Sequence, residues 1–171
     1  MAAQNDDIRP GEVRAATDPA TARPDAGVVF IGHVRSPWKK RSDCPRNIAE
    51  ARERAAPAEL EIDPAWRQGL TGLSAGDHLI AIYWMNEAPR DIVIQKPHRR
   101  PEATGVFSLR SPARPNPIAL ATVAIIAIDQ AAGSITIDAI DCLDGTPLID
   151  VKPWRQNMDV PPDGAASQAS T

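Results

Sequence analysis

Prolines at positions 112, 115 and 117 interrupt an otherwise strand-like stretch, Gly105-Val106-Phe107-Ser108-Leu109-Arg110-Ser111-Pro112-Ala113-Arg114-Pro115-Asn116-Pro117-Ile118-Ala119-Leu120. Each proline fixes its own φ near about −65° and drives the preceding residue toward extended geometry. Ser111, Arg114 and Asn116 therefore have few backbone alternatives. Apolar Val106, Phe107 and Leu109 predict a strand over 105–109, and the apolar run 118–128 predicts a buried one. The chain between them has to form a stiff loop. That loop carries the guanidiniums of Arg110 and Arg114, the Ser111 hydroxyl and the Asn116 carboxamide. A rigid polar loop between strands is how a fold presents a preorganised site.

The 171 residues suffice for one domain with a real core, and 43% apolar with 24% charged residues is ordinary for a soluble globular chain. A net charge of −3 gives no overall attraction to nucleic acid. The charge is divided, however. Arg35, Lys39, Lys40, Arg41, Arg46, Arg52 and Arg54 face three acids in their own segment, and six more Lys or Arg lie between positions 90 and 114. Between positions 129 and 163 seven Asp oppose Lys152 and Arg155. A chain polarised this way can bind an anion locally while being acidic overall. Cys44 and Cys142 show no CxxC spacing, which fits a reducing cytoplasm. His33, His78 and His98 pair with no Cys at metal-like spacing, so no metal site is expected. No apolar run approaches the roughly 20 residues of a membrane helix, and no secretion signal is visible.

Residues 1–26 read as a flexible tail, 27–156 as the folded body and 157–171 as a second tail. Strands are expected over 28–34, 58–62, 78–85, 91–94, 105–109, 118–128, 134–140 and 148–152. A short helix over 48–56 is compatible with propensity alone. The clearer helix starts at Asp63-Pro64, with Asp63 as cap and Trp66, Leu70 and Leu73 on one face. Many short strands with one modest helix point to a mainly β fold, a small single-domain barrel. The glycines of Gly69-Leu70-Thr71-Gly72 lie inside or after the helix, so they do not form a nucleotide-binding turn.

Four elements in order resemble the TsaA-like family: Ile31-Gly32-His33-Val34-Arg35-Ser36-Pro37-Trp38, Pro45-Arg46-Asn47, Arg110-Ser111-Pro112-Ala113-Arg114-Pro115-Asn116-Pro117-Ile118, and Cys142-Leu143-Asp144-Gly145-Thr146-Pro147-Leu148-Ile149-Asp150-Val151-Lys152-Pro153-Trp154. The strand over 76–84 resembles the family's central region. The resemblance covers residues 28–154. It implies a six- or seven-stranded barrel that dimerises and binds S-adenosylmethionine near the subunit interface. It also implies methyl transfer to threonylcarbamoyladenosine beside the tRNA anticodon.

Under that resemblance the cofactor-binding candidates are Arg110, Ser111, Arg114, Pro115, Asn116, Asp144, Gly145 and Thr146. A guanidinium, Arg110 or Arg114, suits the cofactor's carboxylate. Asp144 or Asp150 suits its ammonium, and Asn116 suits a base edge. Arg35, Arg46 and Lys152 are the substrate-binding candidates, and Asp150 and Asn116 the catalytic ones. Ala119 departs from the family's usual Gly, Leu109 from Thr and Trp154 from Tyr. A small-molecule acceptor and a non-catalytic cofactor-binding module are the alternative functions.

Overall fold

The computed structural model describes residues 8–97 and 101–161; His98, expected above to bind no metal, lies outside them. Alternating apolar residues generate a closed antiparallel barrel. Its strands are β2 (Gly32–Arg35), β3 (Ala58–Ile62), β4 (His78–Trp84), β7 (Ile118–Asp129), β8 (Ser134–Ile137) and β9 (Pro147–Pro153), in the circular order β2-β3-β8-β7-β4-β9. A separate small sheet, β1 (Val13–Arg14), β5 (Ile92–Gln95) and β6 (Thr104–Gly105), has the order β1-β5-β6. Thus β1 ties part of the expected amino-terminal tail to the insertion between β4 and β7.

The barrel interior is filled by alternate residues. Leu60 and Ile62 from β3, Leu79 and Ala81 from β4, Val123 and Ile125 from β7, Ile135 and Ile137 from β8 and Leu148 from β9 are all buried. Each such Leu or Ile stabilises by about 1.5–3 kcal/mol. The strand β7 is long enough to serve two partners. Residues 118–124 pair with β4, whereas 125–129 pair with β8, and a register irregularity between Ile125 and Ala127 turns the strand.

Several expectations change in detail. Residues 28–30 stay outside the ladder with exposed side chains, and pairing begins at Gly32. Pro64–Leu70 winds as a 3₁₀ helix, and Asp63 makes no side-chain cap. Gly69 and Gly72 leave that segment too little helix propensity for a longer α-helix. Residues 106–108 form a 3₁₀ turn instead of a strand, because the Ser108 hydroxyl turns back to the Gly105 carbonyl at 2.8 Å. The helix α1 (Ile48–Glu53) does form, with the Asn47 side chain accepting from the Glu50 amide.

At Gly32 the backbones of β2 and β3 approach too closely for any side chain. A Cβ placed there would lie 1.9 Å from the Glu61 carbonyl oxygen. Gly32→Ala should therefore force the strands apart and lower unfolding free energy by about 1–3 kcal/mol, read by urea denaturation. An unchanged midpoint would mean that β2 is not paired there.

Candidate functional site

All six barrel neighbours are antiparallel, so the connections alternate between the two ends. Residues 36–57, 85–97, 101–117 and 138–146 lie at one rim, which receives the ends of β2, β4 and β8 and the starts of β3, β7 and β9. Residues 63–77 and 130–133 lie at the other. The described residues of both basic stretches and three of the four motif elements therefore share one rim.

The loop after β2 is fastened to the segment before β9. The Ser36 amide donates to Asp144 Oδ1 at 3.1 Å, and its hydroxyl donates to the Cys142 carbonyl at 2.9 Å. The Trp38 indole donates to the Ile140 carbonyl at 2.8 Å. Lys39 Nζ lies 2.7 Å from Asp144 Oδ2. The Lys39 hydrogen bond, helped by the Ser36 amide, holds the Asp144 carboxyl below the usual carboxylate range. Gly145 takes a φ of +78°, which opens the turn and lets its amide donate to the Val34 carbonyl at 2.8 Å. Thr146 is buried, and its hydroxyl bonds the Leu143 carbonyl.

The proline loop is held from both sides. Arg110 Nη2 donates to the Leu120 carbonyl at 3.1 Å, and Arg114 Nη2 donates to the Val106 carbonyl at 3.3 Å. Arg90 donates to the Pro115 carbonyl at 2.8 Å while stacking over Trp84. The Ser111 hydroxyl accepts from the Ala113 amide. Pro117 is buried, and its carbonyl accepts from the Met85 amide. Asn116 is exposed, and its side chain has no partner among the described residues. A guanidinium has five N–H donors, so Arg110 and Arg114 keep most of theirs after these bonds.

Other candidates are committed to acids. Arg35 Nε binds Glu61 Oε2 at 2.6 Å, and Arg46 Nε binds Glu50 Oε2 at 2.8 Å. Asp150 and Lys152 belong to β9 and not to a rim loop. They lie opposite Ile82 and Ile80 on the outer wall and pair with each other at 3.2 Å. Two rim features were missed by the sequence reading: the Ser36-Trp38-Lys39 fastening, and Asp141, whose Oδ1 accepts from the buried Tyr83 hydroxyl at 2.6 Å. At the opposite end a cavity of about 300 Å³ is lined by Thr71, Asp77, His78, Trp154 and Arg155 among others.

The rim's donor set matches a zwitterionic nucleoside: guanidiniums with spare donors, half-buried carboxylates and an unpartnered amide. Among the described residues no group of His, Cys, Asp and Glu could hold a metal ion, and no helix is long and apolar enough to cross a membrane.

The family model described as the tRNA-methyltransferase O N-terminal domain matches residues 33–160. A probable S-adenosyl-L-methionine-binding protein, VirR, from Rhizobium radiobacter is 45% identical over 132 residues, covering 77% of this chain and 72% of the relative. An S-adenosyl-L-methionine-binding protein from Archaeoglobus fulgidus is 37% identical over 129 residues, covering 75% of this chain and 89% of its own. The crystal structure of TrmO from Pseudomonas aeruginosa superposes with a TM-score of 0.65 at 27% identity, covering 86% of this chain. This chain spans 64% of that solved chain's length.

Glu50 provides a test of the basic loop. Hydrogen bonds from Arg46 first, then Arg54, bring its carboxyl from 4.5 down to about 2. A depressed folded value means that the stabilisation is complete above 4.5 and disappears as pH falls toward about 2. Glu50→Gln should flatten the loss of melting temperature across that window. An acid limb identical to the wild type would mean that the pairs contribute nothing.

Proposed function

The chain belongs to the tRNA-methyltransferase O N-terminal domain family, and we propose that it is an S-adenosylmethionine-dependent methyltransferase whose acceptor is threonylcarbamoyladenosine beside the tRNA anticodon. The observation that carries this reading is the convergence of the motif loops on one rim. When bound, the cofactor supplies an electrophilic methyl group on a sulfonium. The protein's residues do the rest. Arg110 and Arg114 are placed to take its carboxylate, the 143–146 turn to offer backbone groups, and Asn116 to read a base edge. Arg35 and Arg46 retain terminal nitrogens for phosphate or for the acceptor's own carboxylate. Transfer asks mainly for in-line placement, which stiff loops provide.

The same reading includes a second copy of the chain. Ile118 and Leu120 on β7 are exposed, and they pair with half-buried Trp84 and Ile82 on β4. This apolar outer wall beside the rim is the surface on which a partner copy would pack. Free Cys44 and Cys142 suit a reducing cytoplasm. A cofactor-binding regulatory module is the second reading, favoured by the relatives' names, which state binding and not transfer.

Calorimetry should show S-adenosylmethionine binding that Arg114→Ala weakens by about 10- to 100-fold, the loss of a charge-assisted hydrogen bond, with little change in melting temperature. Mass spectrometry of nucleosides from tRNA incubated with protein and cofactor should show a methylated threonylcarbamoyladenosine. Binding without product supports the regulatory reading, and no binding at millimolar cofactor contradicts both. Light scattering should give a dimer that Leu120→Asp dissociates; a monomeric wild type contradicts the second copy.

A further inference from the structure

We propose that Asp141 accepts the proton released from the methylated nitrogen, an assignment that rests on the reading above of a carbamoylated adenine as acceptor. Such a nitrogen is a poor nucleophile because its lone pair is shared with the ring and with the carbamoyl carbonyl. It becomes effective as its N–H proton leaves. A carboxylate at the loop-bearing rim is the natural recipient.

The rim holds several carboxylates, and their partners separate them. Asp144 is bound to Lys39, Glu61 to Arg35, Glu50 to Arg46 and Arg54, Asp138 to Arg52, and Asp91 to Arg14. A cation holds a carboxylate in its charged form and makes it a weak proton acceptor. Asp150 lies on the outer wall with Lys152. Asp43, Glu53, Glu87 and Glu102 make no ion pair among the described residues, but all four are exposed. Asp141 differs from all of these. Its partner is the neutral Tyr83 phenol at 2.6 Å, and Oδ2 has no donor among the described residues.

The surroundings keep Asp141 in place and keep its partner neutral. The carbonyls on either side are taken, that of Ile140 by the Trp38 indole and that of Cys142 by the Ser36 hydroxyl. Ile140 and Cys142 are fully buried, whereas Asp141 between them is partly open. Burial, followed by the charge of Asp141 itself, pushes the Tyr83 phenol far up, so it stays protonated and donates. Tyr83 pairs with Ala119 in the β4–β7 ladder, so the phenol stands at the point where the proline loop enters β7.

The balance is simple. The nitrogen lone pair forms the new N–C bond to the methyl of a sulfonium donor. The C–S bond breaks with its electron pair left on sulfur, giving a neutral thioether. The N–H proton passes to Asp141 Oδ2 and then to solvent.

The test compares wild type, Asp141→Asn and Tyr83→Phe. Asparagine keeps an oxygen for the Tyr83 hydroxyl and removes the proton acceptor. Calorimetry with S-adenosylhomocysteine and thermal melting should match wild type, while single-turnover methylation of tRNA falls by about 100- to 10,000-fold. Tyr83→Phe leaves the carboxylate free to turn and should lower the rate by about tenfold at unchanged affinity. A D141N rate equal to wild type, or an affinity loss that parallels the rate loss, overturns the assignment. If D141N melts early, an unchanged rate in Y83F overturns it instead. A wild type that binds cofactor but methylates no tRNA nucleoside overturns the acceptor reading and the proton-transfer role with it. An active wild type with an equally active D141N overturns Asp141 alone.

Discussion

The loop-bearing rim hangs from the unpaired edge of β7. From residue 118 to 124 this strand has β4 on one side and no strand among the described residues on the other. Its outward peptide groups are met by side chains and by a loop. Arg110 bonds the Leu120 carbonyl, Arg52 bonds the Thr122 carbonyl at 2.6 Å, and Asp138 exchanges bonds with both peptide groups of Ala124. Leaving a buried peptide group unmet costs about 1–3 kcal/mol. The seam therefore fastens α1, the proline loop and the segment after β8 to one strand. Arg110 is held by the barrel wall before any ligand arrives, the preorganisation that the proposed carboxylate-binding role requires.

The second fastening joins the segments on either side of β9's entrance. Ser36, Trp38 and Lys39 grip residues 140–144 by backbone and side chain alike. Together the two fastenings explain how an acidic chain offers a basic site. Many of the cations crowded into residues 35–54 are neutralised by Glu50, Glu61, Asp138 and Asp144. Among the described residues the guanidiniums of Arg110 and Arg114 bond carbonyl oxygens and pair with no carboxylate.

Where packing is local in sequence, the chain was readable. The alternation of Ala58-Glu59-Leu60-Glu61-Ile62 and the apolar run beginning at His78 match β3 and β4, and a tight turn at Gly133 joins β7 to β8. Val28-Val29-Phe30 misled, because an apolar run shows that a strand is possible and not that a neighbour is present. Phe107 misled for a different reason: a hydroxyl one residue on closes a turn that apolar pattern alone cannot reveal. In the candidate site, the prolines disclosed a stiff loop, and three of the four motifs converge on one rim. Asp150 sat in a motif yet lies on the outer wall of β9, paired with Lys152. Asp141 sat outside the quoted motifs, and its meaning depends on Tyr83, 58 residues earlier in the chain. Only barrel closure brings those two together.

The central claim is that the cofactor occupies the loop-bearing rim. A crystal structure with S-adenosylhomocysteine tests it most directly. The account predicts ligand density between the 143–146 turn and the 110–116 loop, with a guanidinium of Arg110 or Arg114 on the ligand carboxylate. Density in the cavity of about 300 Å³ at the opposite end, against His78, Trp154 and Arg155, would contradict it.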